Sequence, residues 1–347
     1  MTVSPAVTRA IDVHAHAIFP ALQGAVTELD PVGFATHQAL EARRSGPASM
    51  AASGAMIGAR FEQLTSLSRR LSDMDAAGVE LQLLSPSPSH YYPFLGAEHA
   101  RAVARLANES VRDVVAQASD RLEGLGLVPL QHPELMVELL EHAVTECGLR
   151  GVELSSFAPG QHVEHSVELS DERLEPFWAR AVELGAIVFL HPFGCSLDER
   201  LDRYYLSNTV GQPVENAVAL SHLIFSGVLD RHPRLTLIAA HGGGYLPTFL
   251  GRSDHAWTVR PEARGCADIP SSYLGRLYFD SLVHTPDALR ALVAAVGVDR
   301  VLMGSDYPFD MGVADPVERI VAAELPDAAA TAVASGNAAR LGLGVAR

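Results

Sequence analysis

Not one of the 347 residues is a lysine; all 26 basic side chains are arginine. This absence removes chemistries. The chain has no Schiff-base or pyridoxal-phosphate lysine, no phosphate-loop lysine, and no carboxylated lysine to bridge two metal ions. Cysteine is almost as scarce. Cys147, Cys195 and Cys266 are too few and too widely spaced for a disulfide framework or a thiolate zinc site. No apolar run reaches membrane-spanning length, and the opening "MTVSPAVTRA" lacks the hydrophobic stretch of a secretory leader. A cytoplasmic protein without membrane contact is therefore expected. Positive charge is in deficit, with 26 arginines against 41 acidic residues and a formal charge of −15. Nucleic acid and anionic membrane are poor partners for such a surface. An anionic small substrate would have to meet positive charge placed locally.

Apolar residues are plentiful, at 48% of the chain. That supports a large core in one domain spanning 1–347. Short apolar runs recur at 11–14, 79–85, 122–130, 149–155, 186–191, 235–241, 276–281 and 300–306. Between them lie segments of helical period, such as "AHARAVARLANESVRDVVAQAS" and "DERLEPFWARAVELG". Buried strands alternating with helices indicate parallel βαβ units, and eight of them predict an α/β fold of the (β/α)8, TIM-like barrel type. A doubly wound sheet is the alternative, but its glycine-rich phosphate loop is missing after the first strand. Residues 21–60, rich in Gly, Ala, Ser and Pro, break the rhythm. They are expected to form a small insertion after the first strand, lying over the barrel mouth as a lid. "YYPFLG" (91–96) is expected as an aromatic loop on the same face.

The chemistry-bearing residues collect at the ends of these runs. The first run leads into His14-Ala15-His16. The fifth ends at His191, the sixth at His241 in "AAHGGG", the eighth at Asp306 in "GSDYPF". In a strand, residues two apart face one side, so His14 and His16 can grip one ion. In this barrel the ends of several strands build one active site on one face. Three imidazoles and one carboxylate suit a single divalent metal, Zn²⁺ first, with Mn²⁺, Co²⁺ or Fe²⁺ as alternatives. His241 is then free to act as a base, with three glycines letting backbone approach it closely; a fifth ligand is the competing role. Glu153 and Asp280 end the fourth and seventh runs, either as packed carboxylates or, for Glu153, as a bridge to a second metal. Phe193, Tyr245, Tyr307 and Phe309 flank the motifs as pocket lining or packing.

The ordered set H-x-H, H-P, H-G-G-G and G-S-D-Y-P-F resembles the amidohydrolase superfamily. Within it the chain is similar to the metal-dependent decarboxylase branch typified by 2-amino-3-carboxymuconate-6-semialdehyde decarboxylases. The resemblance extends to "RRLSDMDAAGVELQLLSPSP", "FSGVLDRHPRLTLIAAHGGGYLPTFLGRSDHAW", "LYFDSLVHTPDALRALV" and "SGNAARLGLG". Hydroxybenzoate decarboxylases of the branch often carry E-x-H at the first strand, so H-x-H favours the aminocarboxymuconate side. The resemblance implies that His14, His16, His191 and Asp306 hold the metal and that His241 takes a proton from metal-bound water. It implies that Arg252 is lent to the neighbouring subunit of a homodimer, where it grips the substrate carboxylate. Arg60 matches a second carboxylate-binding arginine; its alternative is a surface charge. The implied activity is non-oxidative decarboxylation of a small unsaturated or aromatic acid. A mononuclear hydrolase acting on lactones or ring-cleavage products is the alternative, and a non-catalytic metal protein the third reading.

Overall fold

Eight parallel strands form in the computed structural model, which describes residues 9–159 and 166–344. Each overlaps an apolar run read from the sequence. They are Ile11–Ala17, Leu81–Pro86, Leu122–Gly124 continued as Gly126–Leu127, Gly151–Leu154, Ile187–Leu190, Thr236–Ala239, Tyr278–Asp280 and Val301–Leu302. Every neighbouring pair in this order is parallel. The third strand is interrupted at Leu125, whose N–H donates to the Leu84 carbonyl at 2.8 Å. The ring is joined where the eighth strand meets the first. Val13 N–H donates to Met303 O at 2.9 Å, Asp306 N–H to His14 O at 2.8 Å, and His16 N–H to Tyr307 O at 2.7 Å. This is the barrel expected from the sequence, and the joined ends leave no place for a doubly wound sheet.

Helices cover the ring because their apolar residues recur at the helical period. In Ala97–Ala116 the buried residues are Ala100, Val103, Ala104, Ala107, Asn108 and Val111, one stripe at i, i+3, i+4, i+7 spacing. Glu175–Leu184 buries Phe177, Trp178 and Ala181 and ends at Gly185, whose positive φ terminates the helix. No helix among the described residues is long and apolar enough to cross a membrane.

Residues 21–60 are helical, although their sequence shows no clear period. Pro20–Leu29, Pro31–Ser45, Pro47–Ala59 and Phe61–Thr65 follow one another, the first three each opened by a proline at the position where its missing N–H is harmless. The period is illegible because the segment buries so little. Pro31–Ser45 has no buried residue and Pro47–Ala59 only Ser49. Beyond Leu22 and Val26, which the first helix buries against Phe94 and the helix Ala97–Ala116, polar contacts hold it. Arg43 pairs with Asp198 at 2.6 Å, and Arg60 Nη1 donates to the Pro308 and Phe309 carbonyls at 2.6 and 3.2 Å.

Candidate metal centre

The first strand places His14 and His16 on one side, with their Nε2 atoms 3.0 Å apart. His191 follows the fifth strand by one residue, its N–H bound to the Leu154 carbonyl at 2.9 Å. Asp306 follows the eighth strand and hangs from the first through its own N–H. One Asp306 oxygen, Oδ1, lies 3.5 Å from His14 Nε2 and 3.4 Å from His16 Nε2. Possible ligand atoms of His14, His16, His191 and Asp306 all lie within 4.8 Å of one another, and all four residues are buried.

The partners of the outer ring nitrogens decide what these imidazoles offer. His14 Nδ1–H donates to Asp280 Oδ2 at 2.6 Å. His16 Nδ1 lies 3.0 Å from Ser85 Oγ and 3.5 Å from Glu153 Oε2. His191 Nδ1–H donates to the Pro192 carbonyl at 2.9 Å. With each proton fixed on Nδ1, three Nε2 lone pairs face one another and a carboxylate. Lone pairs cannot hydrogen-bond to each other, and His191 Nε2 is buried with no partner among the described residues. Such an arrangement is costly unless a cation sits among the donors. The donor set, all nitrogen and oxygen, suits a divalent transition metal.

The electrostatics agree at His191 and Asp306; at His16 burial lowers the pKa, but the Asp306 and Glu153 carboxylates outweigh it and raise it, so that positive charge is favoured among these donors. Burial, and then the nearby His16, His241 and His14 rings, push the His191 pKa well below its usual range and keep it neutral. Burial pulls the Asp306 pKa up, but the surrounding imidazoles outweigh it and hold the carboxyl well below the ordinary value. Neutral imidazole and ionised carboxylate are the forms that bind metal. Burial pushes Glu153 up, partly offset by His16, Ser85 and Tyr91.

His241 stands beside this group. Its ring centroid is 4.9 Å from that of His191 and 5.2 Å from that of His14, and its Nε2 is 3.9 Å from Asp306 Oδ2. Its Nδ1 is buried and unpaired among the described residues. The backbone at His241 and Asp306 has φ of +54° and +57°. Such conformations persist in non-glycine residues only where surrounding structure enforces them, commonly at functional sites. Here the enforcement is visible: Asp280 accepts from the N–H groups of His241 at 2.9 Å and Gly242 at 2.8 Å. Gly244, at φ +66°, has no room for a side chain, since a Cβ there would lie 2.2 Å from the Pro213 carbonyl oxygen.

The other predicted residues are placed as follows. Arg60 reaches the segment after Asp306 through its two carbonyl contacts, and its Nε and Nη2 make no hydrogen bond among the described residues. Arg252, on the helix Gly251–Val259, is exposed and makes no hydrogen bond or ion pair among them; one chain alone does not bring it to the cluster. Phe309 lies 5.5 Å from the His16 ring, and Tyr307 bonds Asp73 at 2.8 Å. Phe193 and Tyr91 line a neighbouring crevice with His37 and Arg44, while Tyr245 lines a cavity beside His241. Glu153 is a packed carboxylate: Oε1 accepts from the Tyr91 hydroxyl at 2.7 Å. Sequence reasoning misses the supporting roles of Ser85, Tyr91 and Asp280. Only the position of "YYPFLG" after a strand hints at Tyr91.

A family model described as Amidohydrolase matches residues 11–341. The chain is 34% identical over 247 residues to a 2-amino-3-carboxymuconate-6-semialdehyde decarboxylase of Dictyostelium discoideum, covering 70% of this chain and 67% of that one. It is 30% identical over 283 residues to a gamma-resorcylate decarboxylase of Rhodococcus jostii, covering 78% and 86%. Among solved structures it is similar to 5-carboxyvanillate decarboxylase from Sphingomonas paucimobilis, with a TM-score of 0.78, 27% identity, and coverage of 96% and 98%.

Proposed function

The chain belongs to the amidohydrolase family, and from that membership we propose that it is a metal-dependent, non-oxidative decarboxylase of a small unsaturated or aromatic acid. The observation that carries this reading is the inward-facing set of three Nε2 atoms and Asp306, with His191 Nε2 buried and unpaired. His14, His16, His191 and Asp306 would hold one divalent ion, Zn²⁺ by ligand preference with Mn²⁺ next. When bound, the metal polarises a substrate oxygen and withdraws charge from the reacting carbon.

The chain's own residues do the rest. The C–C bond to the carboxylate breaks, its electron pair stays on carbon, and carbon dioxide departs. That carbon then needs a proton. His241 borders both the cluster and the cavity; acting as the base, it would take a proton from water there and pass that proton to the carbon, the hydroxide left behind being taken up by the departing carbon dioxide as bicarbonate. Arg60, anchored through Nη1, turns its remaining donors to a carboxylate, which arginine grips bidentately. Arg252 is assigned the same task across a homodimer. Its surroundings support this: Phe249 is 69% and Tyr245 46% exposed on the adjoining turn, apolar surface suited to a second copy.

The test supplies metal-loaded protein with 2-amino-3-carboxymuconate-6-semialdehyde and with gamma-resorcylate and follows carbon dioxide. One mole released per mole of acid consumed is the expected result. Acid consumed with water incorporated and no carbon dioxide would replace this reading with the hydrolase. His241→Ala should retain its metal and lose at least a hundredfold in turnover. Metal loss in that variant would make His241 a ligand.

A further inference from the structure

Arg70 stands on the helix Leu67–Ala76, which follows the run of short helices, and is only 2% exposed. Its Nη1 donates to Gln82 Oε1 at 2.6 Å and its Nη2 to the His16 carbonyl at 2.5 Å. Its guanidinium carbon lies 4.9 Å from the centre of the Tyr307 ring. Asp73, one turn further along the same helix, accepts from the Tyr307 hydroxyl at 2.8 Å. One helix therefore holds the carbonyl of one ligand residue and, at ring and hydroxyl, the side chain that follows another, Asp306. The contacts continue inward. Gln82 Nε2 donates to Asp12 Oδ2 at 2.9 Å. Asp12 Oδ1 accepts from the N–H groups of His14 at 3.1 Å and Ser305 at 3.0 Å, while Oδ2 also takes the Ser305 hydroxyl at 2.6 Å. Asp12, Gln82 and Ser305 are all buried.

A cation and a carboxylate are thus buried with one amide between them. Burying two charges is costly, and an apolar pair of similar volume would often fill the space with less loss. What the arrangement supplies is position. The first and eighth strands carry His14, His16 and Asp306, and they meet through main-chain hydrogen bonds such as Asp306 N–H to His14 O and His16 N–H to Tyr307 O. A metal gripped across that junction needs its ligands held to within about 0.5 Å. We propose that Arg70 is a positioning residue for the metal: through the His16 carbonyl and, by way of Gln82 and Asp12, through the main chain at His14 and Ser305, it holds the ligands of the first and eighth strands in binding geometry. This deepens the metal-site reading and rests on it. Arginine suits the task because its rigid fork serves two acceptors while its flat face meets the Tyr307 ring. An ammonium offers neither the fork nor the plane.

The experiment titrates Co²⁺ into the metal-free protein. Competition with a chromophoric chelator gives the affinity, the visible absorption of the bound ion reports its ligand geometry, and thermal melts of the metal-free protein give stability. Arg70→Lys keeps the charge and loses the fork; it should bind Co²⁺ about tenfold more weakly and shift the absorption. Gln82→Met cuts the link between Arg70 and Asp12 and should weaken binding by about three- to tenfold. Val111→Ala opens a cavity in the helix Ala97–Ala116, outside these contacts. It should lower the melting temperature while affinity stays within about twofold and the absorption is unchanged. Should Arg70→Lys fail to fold, Gln82→Met decides by the same criterion. Unchanged affinity and absorption in the Arg70 and Gln82 variants overturn the proposal. So does an equal loss of affinity in Val111→Ala, which would tie metal binding to stability alone. Wild type that binds no divalent ion would remove the metal reading and the role of Arg70 with it. The readout needs no turnover, so the activity fails separately. Arg70-dependent metal binding without carbon dioxide release sinks the decarboxylase and spares Arg70. Release of carbon dioxide with unaltered metal binding in the variants does the reverse.

Discussion

Asp280 receives four hydrogen atoms at once. Oδ2 takes His14 Nδ1–H at 2.6 Å and His241 N–H at 2.9 Å; Oδ1 takes the N–H groups of Gly242 at 2.8 Å and Leu282 at 3.1 Å. One buried carboxylate thus fixes the tautomer of a ligand and the loop that carries the proposed base. Burial alone would raise its pKa, but the His14 proton and the charges around it leave the carboxyl below its ordinary value. Asp280→Asn keeps the shape and removes the charge, so it should lower metal affinity by about 10- to 100-fold. Competition against a chromophoric chelator reads this directly, and an unchanged affinity would reduce Asp280 to a packing role. Strand alternation makes His14 and His16 legible in the sequence, because two positions on one strand suffice to place them. It does not reveal their supports. Ser85, Glu153 and Asp280 come from the second, fourth and seventh strands, and only the register of the ring decides which of them meets which imidazole.

At the scale of elements, the least legible part is the helical run between the first two strands. Helical period is visible only when apolar and polar faces contrast, as in Ala97–Ala116. Pro31–Ser45 and Pro47–Ala59 offer almost no such contrast, so their prolines are better evidence than their hydropathy. The entry to this run is pinned from outside. His90, 1% exposed, accepts from Phe19 N–H through Nε2 at 3.0 Å, while its Nδ1 meets the Tyr92 hydroxyl at 2.9 Å. Phe19 immediately precedes the first proline helix. Burial depresses the His90 pKa to about 4 from an ordinary 6.5. Protonation would remove the acceptor that Phe19 needs. The unfolded chain binds this proton near pH 6.5 and the folded chain only near pH 4. The contribution of a neutral His90 is therefore intact above pH 6.5 and declines as pH falls toward 4, by up to about 3 kcal/mol. His90→Gln should cost about 1–3 kcal/mol at pH 7 and progressively less toward pH 4.5. Urea melts of both proteins at several pH values give the difference. A pH-independent gap would mean that His90 does not carry the slope.

For the whole molecule, a net charge of −15 and an anionic substrate are opposed at long range and must be reconciled at short range. The proposed metal supplies positive charge within one chain, and Arg60 adds more beside the Asp306 segment. Arg252 has no partner among the described residues and projects from an exposed helix next to Phe249, so its contribution requires a second copy. In the proposed homodimer symmetric pairing would make that reciprocal, each subunit completing the other's site. Arg252→Ala should raise KM more than it lowers kcat, since the lost group binds the carboxylate in ground and transition states alike. Asp306→Ala should lose metal and be inactive. Refolded together in equal amounts, the two variants form mixed dimers in which one site has intact ligands and receives Arg252 from the other subunit. Random pairing puts one working site in half of the dimers, so activity should recover to about a quarter of wild type at substrate levels where Arg252→Ala alone is nearly silent. Native mass spectrometry verifies that mixed dimers are present. If they are present and the activity is only the average of the two variants, Arg252 acts within its own subunit or not at all, and the positive charge facing the substrate comes from the metal and Arg60 alone.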